Sequence, residues 1–414
     1  MASSFATALS GLNAFSTGID VVGNNLANLD TTGFKASAVS FHDLVTQSIG
    51  TGLGATQVGF GVGIPVTLRQ FTQGAIQNTS GPLDAAIQGD GFFVVQEPSS
   101  GAIEYTRSGN LQTDQSGNLI TATGQTIQGW TSQNGVLNTN GPTGPINVPT
   151  GTLKAPITTQ NFSFDMNLDS ATTGTQPNTF STSIQVFDTL GNAHTLTAQF
   201  TESSTPGQWN YSITVPNSDV SSPFTPVTGT LTFDQNGRLT TPAATDPAPQ
   251  IQIQGLTDGA ANMTLNWQLY NGTAPRITQF SQSSSVSALS QDGSAAAQLV
   301  HVGIANGGQI VAQYSDGLQS IVGQIAMATI RNPESLIAVG NSNFQLSAVS
   351  ALPATGVPGT GGRGSVVGGA VESSTVDIAT EFTNMIVFQR GYEANAKVVT
   401  TVNQVTQDTI NLIP

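Results

Sequence analysis

The residue types that usually carry chemistry are few in this chain, and no two of them stand at a productive spacing. The three histidines, His42, His194 and His301, fall in different predicted units and have no partner at metal-ligand spacing. Cysteine is absent, which excludes disulfide staples, thiolate metal sites and cysteine nucleophiles. The hexapeptide GTGGRG at 359–364 matches G-x-G-x-x-G in letters. It neither follows a convincing strand nor opens a helix, so it reads as a loop and not as a phosphate cradle. Three aspartate-led turns, DQSGN at 114–118, DTLGN at 188–192 and DQNG at 234–237, lack the alternating carboxylates and terminal glutamate of a calcium loop. Each joins two apolar runs, as tight hairpins do. Nothing singles out a carboxylate pair of the kind that hydrolyses glycosides. The expectation is a chain with no catalytic residue, no metal ligand and no cofactor.

Amides, by contrast, recur where they are costly. Residues 24–35 read NNLANLDTTGFK, and asparagine inside a helix competes for backbone hydrogen bonds. The element that carries them is amphipathic. Phe5, Leu9, Leu12, Phe15, Ile19, Val22, Leu26 and Leu29 follow one another at steps of 4, 3, 3, 4, 3, 4 and 3, a near-heptad seam. The helix this predicts is about 28 residues long, well above the usual length. Its other faces carry Ala14, Gly18, Asn24, Asn25 and Asn28 where a solvated face would carry charge. The C-terminus mirrors it. Phe382, Met385, Gln389, Tyr392, Ala396 and Val399 form a seam at steps of 3, 4, 3, 4 and 3. Val398, Val402, Val405, Thr409 and Leu412 form a second stripe, so contacts are expected on more than one side.

Bulk composition narrows the function classes further. Of 414 residues only 8% are charged, against roughly 25% in average soluble proteins. Net charge is -14 and the basic residues are scattered singly, which argues against nucleic acid and against anionic membranes. No stretch approaches the roughly 20 apolar residues of a membrane span. The first basic residue is Lys35, so no positive leader precedes an apolar run and a cleaved secretory signal is not expected.

Between the helices the chain reads as β. Period-2 runs appear at Trp209, Tyr211, Ile213, Val215 and at Met263, Leu265, Trp267, Leu269. Helices at opposite ends can pair only if the intervening chain starts and ends near one place, which implies nested domains. The expected fold is α+β: long terminal helices paired as a coiled-coil-like inner layer, with nested, mostly β inner and outer domains. The terminal helical domain takes residues 1–33 and 372–414, and a connector or extended hairpin takes 34–72. An inner β domain takes 73–152 and 288–371. An outer β domain is inserted at 153–287, between seams rich in Pro, Gly and Thr.

Three segments carry a resemblance. SGLNAFSTGIDVVGNNLANLDTTGFKAS at 10–37 and VDIATEFTNMIVFQRGYEANAKVV at 376–399 resemble the two terminal signatures of the bacterial flagellar rod and hook axial family. YTRSGNLQTDQSGNLITATGQTIQGW at 105–130 resembles that family's inner β domain. The length and the inserted block, which includes FSTSIQVFDTLGNAHTLTAQF at 180–200, point to the hook type. Distal rod proteins generally lack so large an insertion.

The resemblance implies a structural subunit, not an enzyme. It would self-polymerise into a curved hollow tube that transmits motor torque from rod to filament as a universal joint. Its implied partners are copies of itself, the distal rod, the hook cap, the hook–filament junction proteins and the flagellar export apparatus. The implied location is the extracellular flagellar hook, reached without a cleaved signal. The self-assembly residues it implies at the N-terminal end are Leu9, Leu12, Phe15, Ile19, Val22, Asn24, Asn25, Leu26, Asn28, Leu29 and Gly33. On the C-terminal helix they are Phe382, Met385, Gln389, Tyr392, Ala396, Val399 and Val402. A distal rod or hook-associated subunit is the alternative. A secreted β-rich enzyme or adhesin is the remote one, and it leaves both seams unexplained.

Overall fold

The structure is a computed structural model. It describes residues 2–44, 47–49, 56–132, 136–149, 151, 153–171 and 177–411. Two long helices, α1 (Ala2–Ala27) and α2 (Ile378–Asn411), lie at the two ends of a chain that is otherwise β among the described residues, apart from one short 3-10 turn. Leu412, the last position of the second C-terminal stripe, lies outside the described residues.

α1 stops short of Leu29, where the apolar periodicity ends. The Asn28 and Leu29 amides bond back to the carbonyls of Asn25 and Leu26, at 3.0 and 3.3 Å, so the last turn tightens to three residues. Asn28 Nδ2 donates to the Asn24 carbonyl at 2.9 Å, which satisfies one of the orphan acceptors of the helix end. Gly33 follows at φ +69°, the left-handed conformation expected of it. A Cβ there would also lie 2.6 Å from the backbone of Arg107 and Ser108. α2 is opened by Asp377, whose Oδ1 accepts the Thr380 amide at 2.7 Å.

The chain divides into two compact units. The first comprises residues 1–150, 301–313 and 319–414. Its main sheet is antiparallel and runs Gln319–Ile325, Thr126–Thr131, Phe92–Gln96, Ile103–Thr106, Asn343–Gln345, Ile337–Gly340. One side of it is filled by Phe92, Tyr105, Ile330 and Phe344, with Phe71 packed against them. Short ladders then tie early chain to late chain. Ala85–Gln88 pairs with Ser365–Gly368, and Ile76–Asn78 pairs with Ala370–Glu372. These ladders bring the start and end of the β region to one place, as pairing of the two chain ends requires. Within 34–72, Ser37–Ser40 pairs antiparallel with Val66–Arg69, and Gln47–Ile49 with Thr56–Val58. Residues 45–46 and 50–55 lie outside the described residues. GTGGRG forms a turn in which Arg363 donates to the carbonyls of Val357 and Ala354.

The second unit comprises residues 151–300 and 314–318. One sheet is the meander Thr179–Phe187, Ala193–Glu202, Gln208–Thr214, Val227–Phe233, Leu239–Thr241. The other is built on Asn161–Asp169, which pairs with Met263–Trp267, Ile277–Phe280 and Ser285–Gln291. Both period-2 runs point inward, and every member is buried. Trp267 sits between the sheets, 5.1 Å from Tyr211 and 6.1 Å from Phe200, ring centre to ring centre. The strand Ser285–Gln291 runs across the expected boundary at 287. The chain enters and leaves this unit on neighbouring strands, because Leu153 and Lys154 pair antiparallel with Gln298 and Ala297.

All three aspartate-led turns are hairpin turns of one design. The aspartate Oδ1 accepts the amides two and four residues on, in Asp114, Asp188 and Asp234 alike. The glycine at the fourth position takes positive φ in each. His194 has neighbours that its place in the sequence does not announce. Its ring lies between carboxylates, with Nδ1 3.0 Å from Asp219 and Nε2 3.2 Å from Asp188. Asp188 is six residues away across the hairpin and Asp219 comes from a separate loop, so no sequence spacing announces the cluster.

Candidate assembly surface

The terminal helices are seated on the first unit by a buried junction of amides and charges. Asn25 is its first member. Its Nδ2 donates to the Ser37 carbonyl at 2.8 Å and to Glu381 Oε1 at 2.9 Å, while its Oδ1 accepts the Ser37 amide at 3.0 Å. One asparagine therefore joins α1, the returning chain and the first turn of α2. This corrects the expectation that Asn25 meets another copy, since its amide is fully buried and used within the chain. Asn28 bonds within the helix end and accepts from Thr31 Oγ1 at 3.1 Å. Asn24 is exposed.

The second member is an ion triad. Lys35 Nζ lies 2.7 Å from Glu372 Oε1, and Arg107 Nη1 lies 3.2 Å from Glu372 Oε2. Lys35 also donates to the Thr72 carbonyl at 2.6 Å, and the Gly74 amide donates to Glu372 at 2.7 Å. The Gly33 amide donates to the Glu372 carbonyl at 2.8 Å. Burial pushes the Lys35 ammonium below its ordinary pKa, against the opposing pull of Glu372. The triad draws Lys35 from the end of the N-terminal signature, Arg107 from just after the strand Ile103–Thr106, and Glu372 from the strand Ala370–Glu372 that precedes α2.

Above the junction α1 and α2 pack through small residues. The buried positions of α1 are Ala8, Gly11, Ala14, Gly18, Val22 and Asn25. Gly11 faces Asn395, Gly18 faces the Phe388 ring and Gly391 faces the Phe15 ring, each so closely that a Cβ would come within 3 Å. Phe15, Phe388 and Phe41 of the connector form an aromatic trio, with centres 5.5 to 6.3 Å apart. The buried face thus lies beside the large-residue seam, which supplies Val22 to it and also reaches α2 through Phe15. Leu12, Phe15, Ile19, Leu26 and Leu29 are half-buried at its flanks, and Leu9 is exposed. The signal was present as Ala and Gly at steps of 3 and 4, which lets two helix axes approach closely.

α2 is almost uncovered. Glu381 is its only buried residue among those described. Met385, Ala396, Val399 and Val402 are half-buried, while Gln389 is exposed. Phe382 is 52% exposed and Tyr392 42%, and Ile378, Ile386, Val387, Val398, Val405 and Ile410 are exposed with them. Glu381 Oε2 is buried without a hydrogen-bond partner. Burial raises its pKa, assisted by the neighbouring Asp377 charge and opposed by the Asn25 hydrogen bond.

The chain is similar to known proteins along its length. Family models match along the chain: "Flagella basal body rod protein" at 5–35, "Flagellar hook protein FlgE/F/G D1 domain" at 86–165, "Flagellar basal body protein FlaE D2 domain" at 167–294 and "Flagellar basal body rod FlgEFG protein C-terminal" at 367–412. The flagellar hook protein FlgE of Borreliella burgdorferi is 33% identical over the full length of both chains. The chain belongs to the flagellar hook protein family. The FlgE proteins of Escherichia coli and Salmonella typhimurium are 32% and 31% identical, covering 99% of this chain and 99% and 100% of theirs. Helicobacter pylori FlgE2 shares the fold, with a TM-score of 0.54 over 70% of this chain and 99% of that one, at 13% identity. Membership of the hook family makes this chain a structural subunit of the bacterial flagellum. The junction residues Lys35, Arg107 and Glu372 fall within three of the four matched regions.

Proposed function

We propose that copies of this chain polymerise through α1 and α2 into the flagellar hook, a curved hollow tube that carries torque from rod to filament. The terminal helices form a coiled-coil-like inner layer, and the β domains, inner and inserted, form the outer wall. The subunit has no catalytic role. It is exported without a cleaved signal through the flagellar export apparatus, and it meets the distal rod, the cap and the hook–filament junction proteins at the ends of the tube. The observation that carries this reading is α2, a 34-residue helix with one buried residue and apolar side chains on several faces. Covering a half-exposed Phe or Ile contributes about 1 kcal/mol, and the gain recurs in every copy. The uncharged polar surface suits a bending tube, because Ser, Thr, Asn and Gln contacts exchange partners or take bridging water at small cost.

Phe382→Asp in a strain lacking its own hook subunit tests this. Phe382 is exposed in the single chain, so the β units should melt as before. An unpaired charge at a buried subunit contact costs more than the roughly 2–7 kcal/mol of an unpaired neutral polar group. Electron microscopy should show basal bodies without hooks. Normal hooks and swimming from Phe382→Asp and from Leu26→Asp would remove the helices from the assembly surface.

A further inference from the structure

The His194 cluster of the second unit has no part in assembly through the terminal helices. His194 is 5% exposed, and both ring nitrogens face carboxylates. Nδ1 lies 3.0 Å from Asp219 Oδ2. Nε2 lies 3.2 Å from Asp188 Oδ2 and 3.4 Å from Asp258 Oδ2. A neutral imidazole carries one N–H. Once that hydrogen faces Asp219, the Nε2 lone pair is left aimed at two carboxylate oxygens with nothing positive between them. Something positive must stand there, either a second ring proton or a cation. Among the described residues no lysine or arginine pairs with Asp188, Asp219 or Asp258, so three carboxylates share at most one imidazolium charge.

The spacing accommodates a cation. Zinc holds nitrogen at about 2.0–2.1 Å and carboxylate oxygen at about 2.0–2.2 Å, so adjacent tetrahedral ligands stand about 3.3–3.4 Å apart. The two Nε2–oxygen separations, 3.2 and 3.4 Å, lie within about 0.1 Å of that spacing. The Nδ1–Asp219 contact is the carboxylate–histidine pairing that fixes the tautomer of a metal-bound imidazole. Asn192 Nδ2 donates to Asp258 Oδ2 at 3.1 Å and to Asp188 Oδ2 at 3.4 Å, which holds both oxygens in place. Asp188 is fully buried, while Asp258 is exposed and leaves a route in from solvent.

We propose that His194 Nε2, Asp188 Oδ2 and Asp258 Oδ2 bind a borderline divalent cation of the zinc type, with Asp219 as the residue that orients the ring. One imidazole and two carboxylates leave a fourth position for water, and the imidazole selects zinc-like ions over calcium and magnesium. Binding exchanges the Nε2 proton for the metal, and the proton goes to the buffer. The bound ion would tie the 187–193 hairpin, the loop of Asp219 and the loop of Asp258 to one point.

The test is calorimetric titration of the full-length chain with ZnCl2, in two buffers of different ionisation enthalpy. The expected result is one ion per chain, with release of up to one proton and a higher melting temperature. CaCl2 and MgCl2 should give no comparable heat. Asp258→Asn, at an exposed position, should keep the fold and weaken zinc by at least about tenfold, and Asp219→Asn by about 10- to 100-fold. A His42→Gln/His301→Gln double variant should bind as the parent does. Absence of saturable zinc binding would overturn the proposal. So would binding that His194→Gln and Asp258→Asn leave unchanged. Either result would leave the cluster without the ion.

Discussion

Glu372 is the residue on which both chain ends depend. It accepts from Lys35, Arg107 and the Gly74 amide, and its carbonyl takes the Gly33 amide. Glu372→Gln would leave two buried cations facing a neutral amide, and breaking a buried ion pair costs about 3–5 kcal/mol. The first unit should lose that much stability in denaturant titration, and the second unit should keep its transition. Glu381 makes a different prediction. Its folded pKa is raised, so its contribution to stability is complete below the ordinary carboxylate range and is lost as pH rises through the raised value. Asp377 acts in the opposite sense, because its pKa is lowered by the Thr380 hydrogen bond. Its contribution is lost as pH falls through the lowered value. Helical circular dichroism should therefore melt highest in mildly acid solution, between those two limits. Glu381→Gln should flatten the decline toward neutral pH, and an undiminished decline would assign it to another group. Neither residue stood out in sequence. A lone glutamate looks solvated, and only the fold brings Lys35 to Glu372 and Asn25 to Glu381.

At the scale of elements, periodicity reported the helices and the inward faces of the central strands because large apolar residues mark them. It did not report which face of α1 meets α2. That face is defined by what is missing, namely side-chain volume at Gly11, Gly18 and Gly391. Two glycine substitutions separate propensity from packing. Gly23 has nothing within 4 Å of an added Cβ, so Gly23→Ala should stabilise α1 by about 0.5–1 kcal/mol. Gly391→Ala places a methyl 2.6 Å from the Phe15 ring, and overpacking costs typically about 1–3 kcal/mol. The melting of the helical signal should move up in the first variant and down in the second. Equal shifts would mean that the helix pair opens in solution.

For the whole molecule, the nested organisation makes the second unit a separable body. A fragment of residues 151–300 keeps both sheets and should melt cooperatively by calorimetry. A fragment of residues 153–287 cuts the strand Ser285–Gln291, which pairs along most of Asn161–Asp169, and should melt earlier and less sharply. The sequence indicated an insertion because Pro- and Gly-rich seams bracket it. It could not place the far edge, because SVSALSQ at 285–291 has the Ser-rich composition of a linker while lying in a ladder. Equal melting of the two fragments would show that this strand adds nothing to the unit.

The strands at which the chain enters and leaves the second unit also decide how that unit meets force. Leu153 and Lys154 lie against Gln298 and Ala297, and Ile157 and Ser294 exchange backbone hydrogen bonds at 2.9 and 2.8 Å just beyond. Tension that separates the two crossing strands would load these bonds one after another, as a zip is opened, and not all at once as in shear. The base of the insertion is then its mechanical fuse. In a single-molecule pull from residues 151 and 300, the first event would be a short extension at low force as this ladder peels, before the aromatic core around Trp267 yields.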